Sequence, residues 1–216
     1  MNNNVFAFFL IGTLAFALLA FRFVAAKNYA FRMFGTGLAL LAFAFATWSV
    51  IILTHPADLA PLTTLGVIPF GLANIFFVAA GTSDFQPATR RNLLIVATAV
   101  IGGLFAYRTF GAVSEPFIDG NGYFYFNAAP LAVILYVVVF AGALMPAVHV
   151  VTSHVASVRA AMFTRLFFNG VTLSGVVLLV ANNSDELQLL NGYLMLIGLI
   201  GLVLTHVRKS PEFITR

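Results

Sequence analysis

Cysteine is absent from this chain, and charge is nearly so. Without a thiol there can be no disulfide framework, thiolate metal site, quinone-linked disulfide chemistry or cysteine nucleophile. Charged residues make up only 8% of the 216 positions, against roughly 25% in an average soluble domain. So few charges cannot cover an exterior that faces water. They suffice for one that faces lipid, where apolar side chains carry no penalty. The chain also lacks a phosphate loop, a zinc spacing, a Ser/His/Asp set and paired carboxylates on a helix face, so no enzyme is expected.

What is present is apolar: 61% hydrophobic residues, 24 phenylalanines and a mean hydropathy of +1.01. A bilayer-crossing helix needs about twenty such residues. Apolar runs near 5–24, 34–54, 64–81, 93–110, 129–151, 166–182 and 189–207 predict seven of them, a single all-α transmembrane bundle over 1–216. The first run follows an uncharged Met1 and three asparagines and has the length of a full span. It reads as a retained helix rather than a signal peptide.

Charge placement orients the bundle. Arg22, Lys27, Arg32, Arg90, Arg91, Arg159, Arg165, Arg208, Lys209 and Arg216 fall on one side of a seven-helix count, and only Arg108 on the other. Asp58, Glu115, Asp119, Asp185 and Glu186 fall on the Arg-poor side, with Asp84 and Glu212 opposite them. Lys and Arg mark the cytoplasmic loops. The expectation is an N-terminus outside and a C-terminus inside, in a prokaryotic cytoplasmic membrane. The net charge of +4 therefore reads as orientation, and no nucleic-acid partner is expected.

Between helices four and five, Asp119-Gly120 and Asn121-Gly122 lie between Phe117-Ile118 and an aromatic run. Such pairs flanked by β-prone residues signal an external hairpin. The competing reading is an aromatic belt at the interface. The starts of helices two and six share R-x-F-x-x-G-x-x-L, from Arg32 to Leu40 and from Arg165 to Leu173. Either this is chance among packing glycines, or it marks two three-helix repeats about a linker helix.

The centres of all seven runs lack Asp, Glu, Lys, Arg and His. Proton pumps, ion-coupled carriers and voltage sensors need such groups. No lysine stands in helix seven for a retinal Schiff base. His149 and His206 lie at similar depth near the inner ends of helices five and seven, and His154 just beyond. They are either haem ligands or helix-end histidines complementing the dipole. No cofactor is expected, with haem and a carotenoid or retinoid pigment left open. His55, beside Pro56, reads as an external loop residue, and Pro69 and Pro146 predict kinks.

The polar material that remains is uncharged. Trp48, Ser49, Asn74, Tyr136, Ser174, Asn191 and Tyr193 would line an outward pocket for a small neutral ligand if they converge. Singly, they are interhelical glue and belt anchors.

From Arg22 to Gly81 the chain resembles the seven-helix N-terminal sensor region of some bacterial histidine kinases. The likeness lies in a basic short first loop (Arg22, Lys27, Arg32), the A-x-A-T-W stretch ending at Trp48 and L-G-V-I-P-F at Leu65–Phe70. It implies a sensor whose C-terminus reaches the cytoplasm. With Arg216 a few residues past the seventh run, such a sensor is expected to signal through a partner. The leading expectation is a non-enzymatic sensory or accessory subunit, binding a small neutral ligand, a partner membrane protein or a second copy of itself. The alternatives are a carrier of two three-helix repeats for a small uncharged solute, and a haem- or pigment-associated subunit.

Overall fold

The computed structural model describes residues 3–110, 115–125, 130–153, 158–180 and 185–207. They form seven helices and one two-stranded ribbon. The helices are α1 (Asn3–Val24), α2 (Tyr29–Thr54), α3 (Ala60–Gly81), α4 (Pro87–Phe110), α5 (Pro130–Ser153), α6 (Val158–Val180) and α7 (Asp185–Val207). Among the described residues, four stretches are long and apolar enough to cross a bilayer: α1, α2, α3 and Pro87–Tyr107 of α4. Shorter apolar stretches among the described residues run from Val137 to Ser153 and from Arg165 to Leu178.

Most helices begin before the apolar runs do, because their first turns carry polar residues that add no apolar signal. Asn28 stands extended ahead of α2, and its Oδ1 accepts from the amides of Ala30 (2.9 Å) and Phe31 (3.4 Å). This satisfies two of the amides that a helix start leaves bare. Asp58 accepts from Ala60 (3.0 Å) ahead of α3. At the far end of α2, His55 takes the left-handed conformation (φ 43°), and its amide donates to Ile51 O (3.0 Å). Such a residue closes a helix, and Pro56 bars its continuation.

Packing runs in a ring, α1–α2–α3–α5–α6–α7, with α7 returning to α1. α4 stands outside the ring, laid on α3 and touching α5. The contrast is large: 61% of the apolar stretch of α2 is buried, but 6% of that of α4. The outer faces are as apolar as the core. On α1, Leu14, Leu18 and Phe21 are 57%, 71% and 83% exposed.

Aromatic rings seated on glycines hold the densest part together. Phe45 of α2 lies against Gly12 of α1, Phe77 of α3 against Gly37 of α2, and Trp48 of α2 against Gly66 of α3. The rings also meet one another, edge-on or tilted. Phe45 is 5.0 Å from Phe16 and 5.3 Å from Phe9, and Phe34 is 5.6 Å from Phe23 and 5.7 Å from Phe77. Each such pair contributes about 0.5–1.5 kcal/mol beyond area burial. Phe140 of α5 extends the series by stacking on Phe70 at 5.2 Å. Pro69 and Pro146 lie within helices that continue through them, and Pro146 abuts Gly81 of α3.

The ribbon between α4 and α5 consists of β1 (Phe117–Ile118) and β2 (Phe124–Tyr125), antiparallel, with Phe117 opposite Tyr125. Asp119 organises the turn: its Oδ1 accepts from the amides of Asn121 (3.0 Å) and Tyr123 (2.8 Å). Gly122 supplies the positive φ of 80° that other residues rarely adopt. The hairpin reading of Asp119-Gly120 and Asn121-Gly122 therefore describes the fold, with stacked Phe117 and Tyr125 rings on one face (4.9 Å).

Two glycine substitutions should separate sharply. A Cβ on Gly35 would meet the α1 backbone at 2.5 Å (Val24 N) and 2.7 Å (Phe23 C). Gly35→Ala is expected to cost about 1–3 kcal/mol. Gly170 has open space around it, and Gly170→Ala should be neutral or stabilising by up to about 1 kcal/mol. Thermal unfolding of the purified protein reads both, and equal shifts would remove the close-approach role given to Gly35.

Candidate functional site

The polar and aromatic residues singled out in the sequence divide into two groups in space. Trp48 is 3% exposed and enclosed by rings: Phe9 at 5.6 Å, Phe45 at 5.4 Å and Phe70 at 5.7 Å. The series reaches α7 through Phe8, which lies 5.7 Å from Phe45 and 5.4 Å from Tyr193. The Tyr193 hydroxyl donates to Asn4 O (2.9 Å), tying α7 to the start of α1. Trp48 and Tyr193 thus belong to one aromatic chain, and rings and the Gly66 backbone fill the space around the indole.

Ser174 and Asn191 form the second group, at the α6–α7 contact. The Ser174 hydroxyl reaches Asn191 Oδ1 (2.7 Å) and Val171 O (2.8 Å), and the Asn191 amide covers Gly175. This is the interhelical use of serine and asparagine. Ser49 donates to Phe45 O (2.9 Å) within its own helix. Asn74 is 2% exposed and donates to Phe70 O (2.8 Å), while its buried Oδ1 has no hydrogen-bond partner among the described residues. The Tyr136 side chain lies outside the described residues.

The histidines give no pair to examine. His149 is exposed on α5, and its part in the structure is a carbonyl that accepts from Arg165 Nη2 (3.2 Å). The His206 side chain and all of His154 lie outside the described residues. Among those described, no group of three or more His, Asp or Glu could hold a metal ion.

Three tertiary contacts had no signature in the sequence. Arg165 Nε donates to Thr152 Oγ1 (2.6 Å), clamping α6 to the end of α5. The Arg90 guanidinium lies 5.0 Å from the centre of the Tyr29 ring, joining the starts of α4 and α2. At the opposite, acidic end, the Tyr125 hydroxyl donates to Asp185 Oδ2 (2.7 Å), fastening the ribbon to the first turn of α7. Only the charge of each residue was legible beforehand, not its partner; Tyr125 and Asp185 are 60 positions apart.

The repeated motif meets two different environments. Phe34 is fully buried, and Gly37 lies under Phe77. Phe167 is 45% exposed, and Gly170 is open. The helix order nevertheless has the pattern that two three-helix units would give: α3 meets α5 as α7 meets α1, with α4 outside. Comparison with protein families, curated proteins and solved structures gives no match.

The ribbon's attachment depends on pH. The hydrogen bond to Asp185, then burial, then the negative charge of Asp185 and Asp119, keep the Tyr125 phenol protonated well above its ordinary value of about 10. The folded value is the raised one. The attachment's contribution is therefore complete below about pH 10 and is lost as pH rises through that raised value. An alkaline absorbance titration should show a late-ionising phenol that is missing in Tyr125→Phe and moves toward ordinary pH in Asp185→Asn. Loss of a phenol that ionises at the ordinary pH in Tyr125→Phe, with no shift in Asp185→Asn, would show that the contact does not form.

Proposed function

We propose that the chain is a seven-span integral membrane protein, N-terminus outside and C-terminus inside, acting as a non-enzymatic accessory subunit. It binds a transmembrane helix of a partner membrane protein along α4. One observation carries this reading: α4 is long and apolar enough to span, yet only 6% of that stretch is buried by its own chain. Among the described residues Ile101 is its one large side chain that is buried, placed where α4 lies on Gly71 of α3. Leu93, Ile95, Val96 and Val100 are between 37% and 61% exposed, and Gly102 and Gly103 have open space about them. Adjacent glycines on a lipid-facing helix allow another backbone to approach closely, the usual basis of helix association in bilayers.

The bilayer reading draws support from the exposed leucines and phenylalanines of α1. It also draws on the separation of Arg22, Lys27, Arg32, Arg90 and Arg91 from Asp58, Asp119, Asp185 and Glu186. A sensory role in the manner of the kinase sensor regions fits the same design, because the partner would carry the output. A second reading, a carrier of two three-helix units, is favoured by the order of the ring around an outlying α4. Flux of small uncharged solutes into proteoliposomes would separate it from the first.

The lack of native cysteine makes both parts directly testable. A single cysteine at Glu115 should react with an impermeant maleimide on intact cells, and one at Lys27 only after the cells are opened. The reverse pattern would overturn the orientation. In native membranes, a cysteine crosslinker at Gly103 should give one discrete adduct with another membrane protein. Leu18 on the outer face of α1, which is 71% exposed, should give none. Diffuse or equal labelling at the two sites would remove the docking role of α4.

A further inference from the structure

At the basic end of the bundle, the start of α4 together with Tyr29 of α2 lines a shallow, open groove of about 640 Å³. Tyr29, Arg90 and Arg91 form its mouth, and Leu94, Ile95 and Thr98 its wall along α4. The volume lies in the ordinary range for small-ligand sites, about 300–1,000 Å³. The wall is apolar in effect, because the Thr98 hydroxyl is taken up by Leu94 O (2.8 Å) of its own helix. From Arg90 to Ala99 the helix rises about 14 Å at ~1.5 Å per residue. That is close to half the hydrocarbon thickness of about 30 Å.

The arginines stand at an unfavourable place for cations. The start of a helix carries partial positive charge and favours anions, yet the first turn of α4 has no acidic residue. Neither arginine is paired with a carboxylate among the described residues; Arg90 rests on the Tyr29 ring instead, 5.0 Å from its centre. This stacking fixes one guanidinium at the groove mouth, with its edge donors left for an oxyanion. One fixed guanidinium and one exposed beside it, above an apolar wall one leaflet deep, complement an anionic headgroup carrying an acyl chain. A free phosphate would use the mouth and leave the channel idle.

We infer that this groove binds one anionic phospholipid of the cytoplasmic leaflet, its phosphate on Arg90 and Arg91 and an acyl chain along Leu94, Ile95 and Thr98. The site rests on the bilayer reading proposed above; it precedes Gly102 and Gly103 on α4 and shares Ile95 with the exposed face given there to the partner. Basic clefts between helices on the cytoplasmic side are suited to such headgroups.

The test uses the full chain in nanodiscs of phosphatidylcholine with and without phosphatidylglycerol, with bound lipid read by native mass spectrometry after exchange into neutral detergent. The wild type is expected to retain one phosphatidylglycerol in preference to phosphatidylcholine. Arg90→Gln with Arg91→Gln should weaken retention about thirtyfold. Ile95→Trp, which fills the channel and leaves the charge unchanged, should also release the lipid. Arg22→Gln with Arg32→Gln removes equal charge from the same end outside the groove and should leave retention intact. Circular dichroism checks that each variant is folded.

Equal retention of phosphatidylcholine, or equal losses from the two arginine pairs, would overturn the site. Complete displacement by inorganic phosphate together with a silent Ile95→Trp would also overturn it, leaving only a small-anion site. Alkaline carbonate extraction keeps the two readings apart. A chain released from membranes removes the bilayer reading and the site with it, whereas a chain that stays while the lipid results fail removes the site alone.

Discussion

The fit of an aromatic ring onto a glycine of the neighbouring helix is the constraint on which the bundle depends. In water, burying so many rings would drive collapse by itself. In the bilayer proposed above for this chain, that drive between helices is absent, because lipid tails are as apolar as the side chains they replace. What remains is close contact, and dispersion forces fall off steeply with any gap. A glycine lets a ring approach until it touches backbone, and the pairs Phe45 with Gly12, Phe77 with Gly37 and Trp48 with Gly66 do this across two successive interfaces. The sequence's heavy use of phenylalanine and glycine is then one property rather than two.

These contacts also decide where the molecule is dense and where it is open. α1, α2, α3 and the Phe140 face of α5 share a continuous set of rings. α6 and α7 join through sparser contacts, the Ser174–Asn191 hydrogen bond and Gly198 under Phe167. α4 has almost none. The two roles proposed above both fall on this open side, where side chains and charges are not committed to the fold.

Much of this was legible in the sequence and some of it could not be. The apolar runs located all seven helices, and Asp119-Gly120 with Asn121-Gly122 located the ribbon, because those signals are local. Hydropathy placed several starts too late because polar first turns such as the one capped by Asn28 contribute no apolar signal. The grouping of Trp48 with Tyr193, and of Ser174 with Asn191, depends on helix rotation and ring order, which a single chain does not encode locally. The same holds for Arg90. Its charge was legible as one of a segregated basic set, while its stacking on Tyr29 needed the third dimension. The shared motif at Arg32 and Arg165 shows the limit most clearly, since like residues meet a tight interface in one helix and open space in the other.

The unequal density has a consequence for how the protein is made. A chain leaves the ribosome from its N-terminus, and early segments settle before later ones exist. Here the block with the most interlocking rings is complete once Gly81 has emerged, with its α1–α2 and α2–α3 contacts all supplied by residues already synthesised. The first three helices can therefore act as a template during translation. The later helices are laid against a finished surface, and α4 is the first of them to arrive and the least retained.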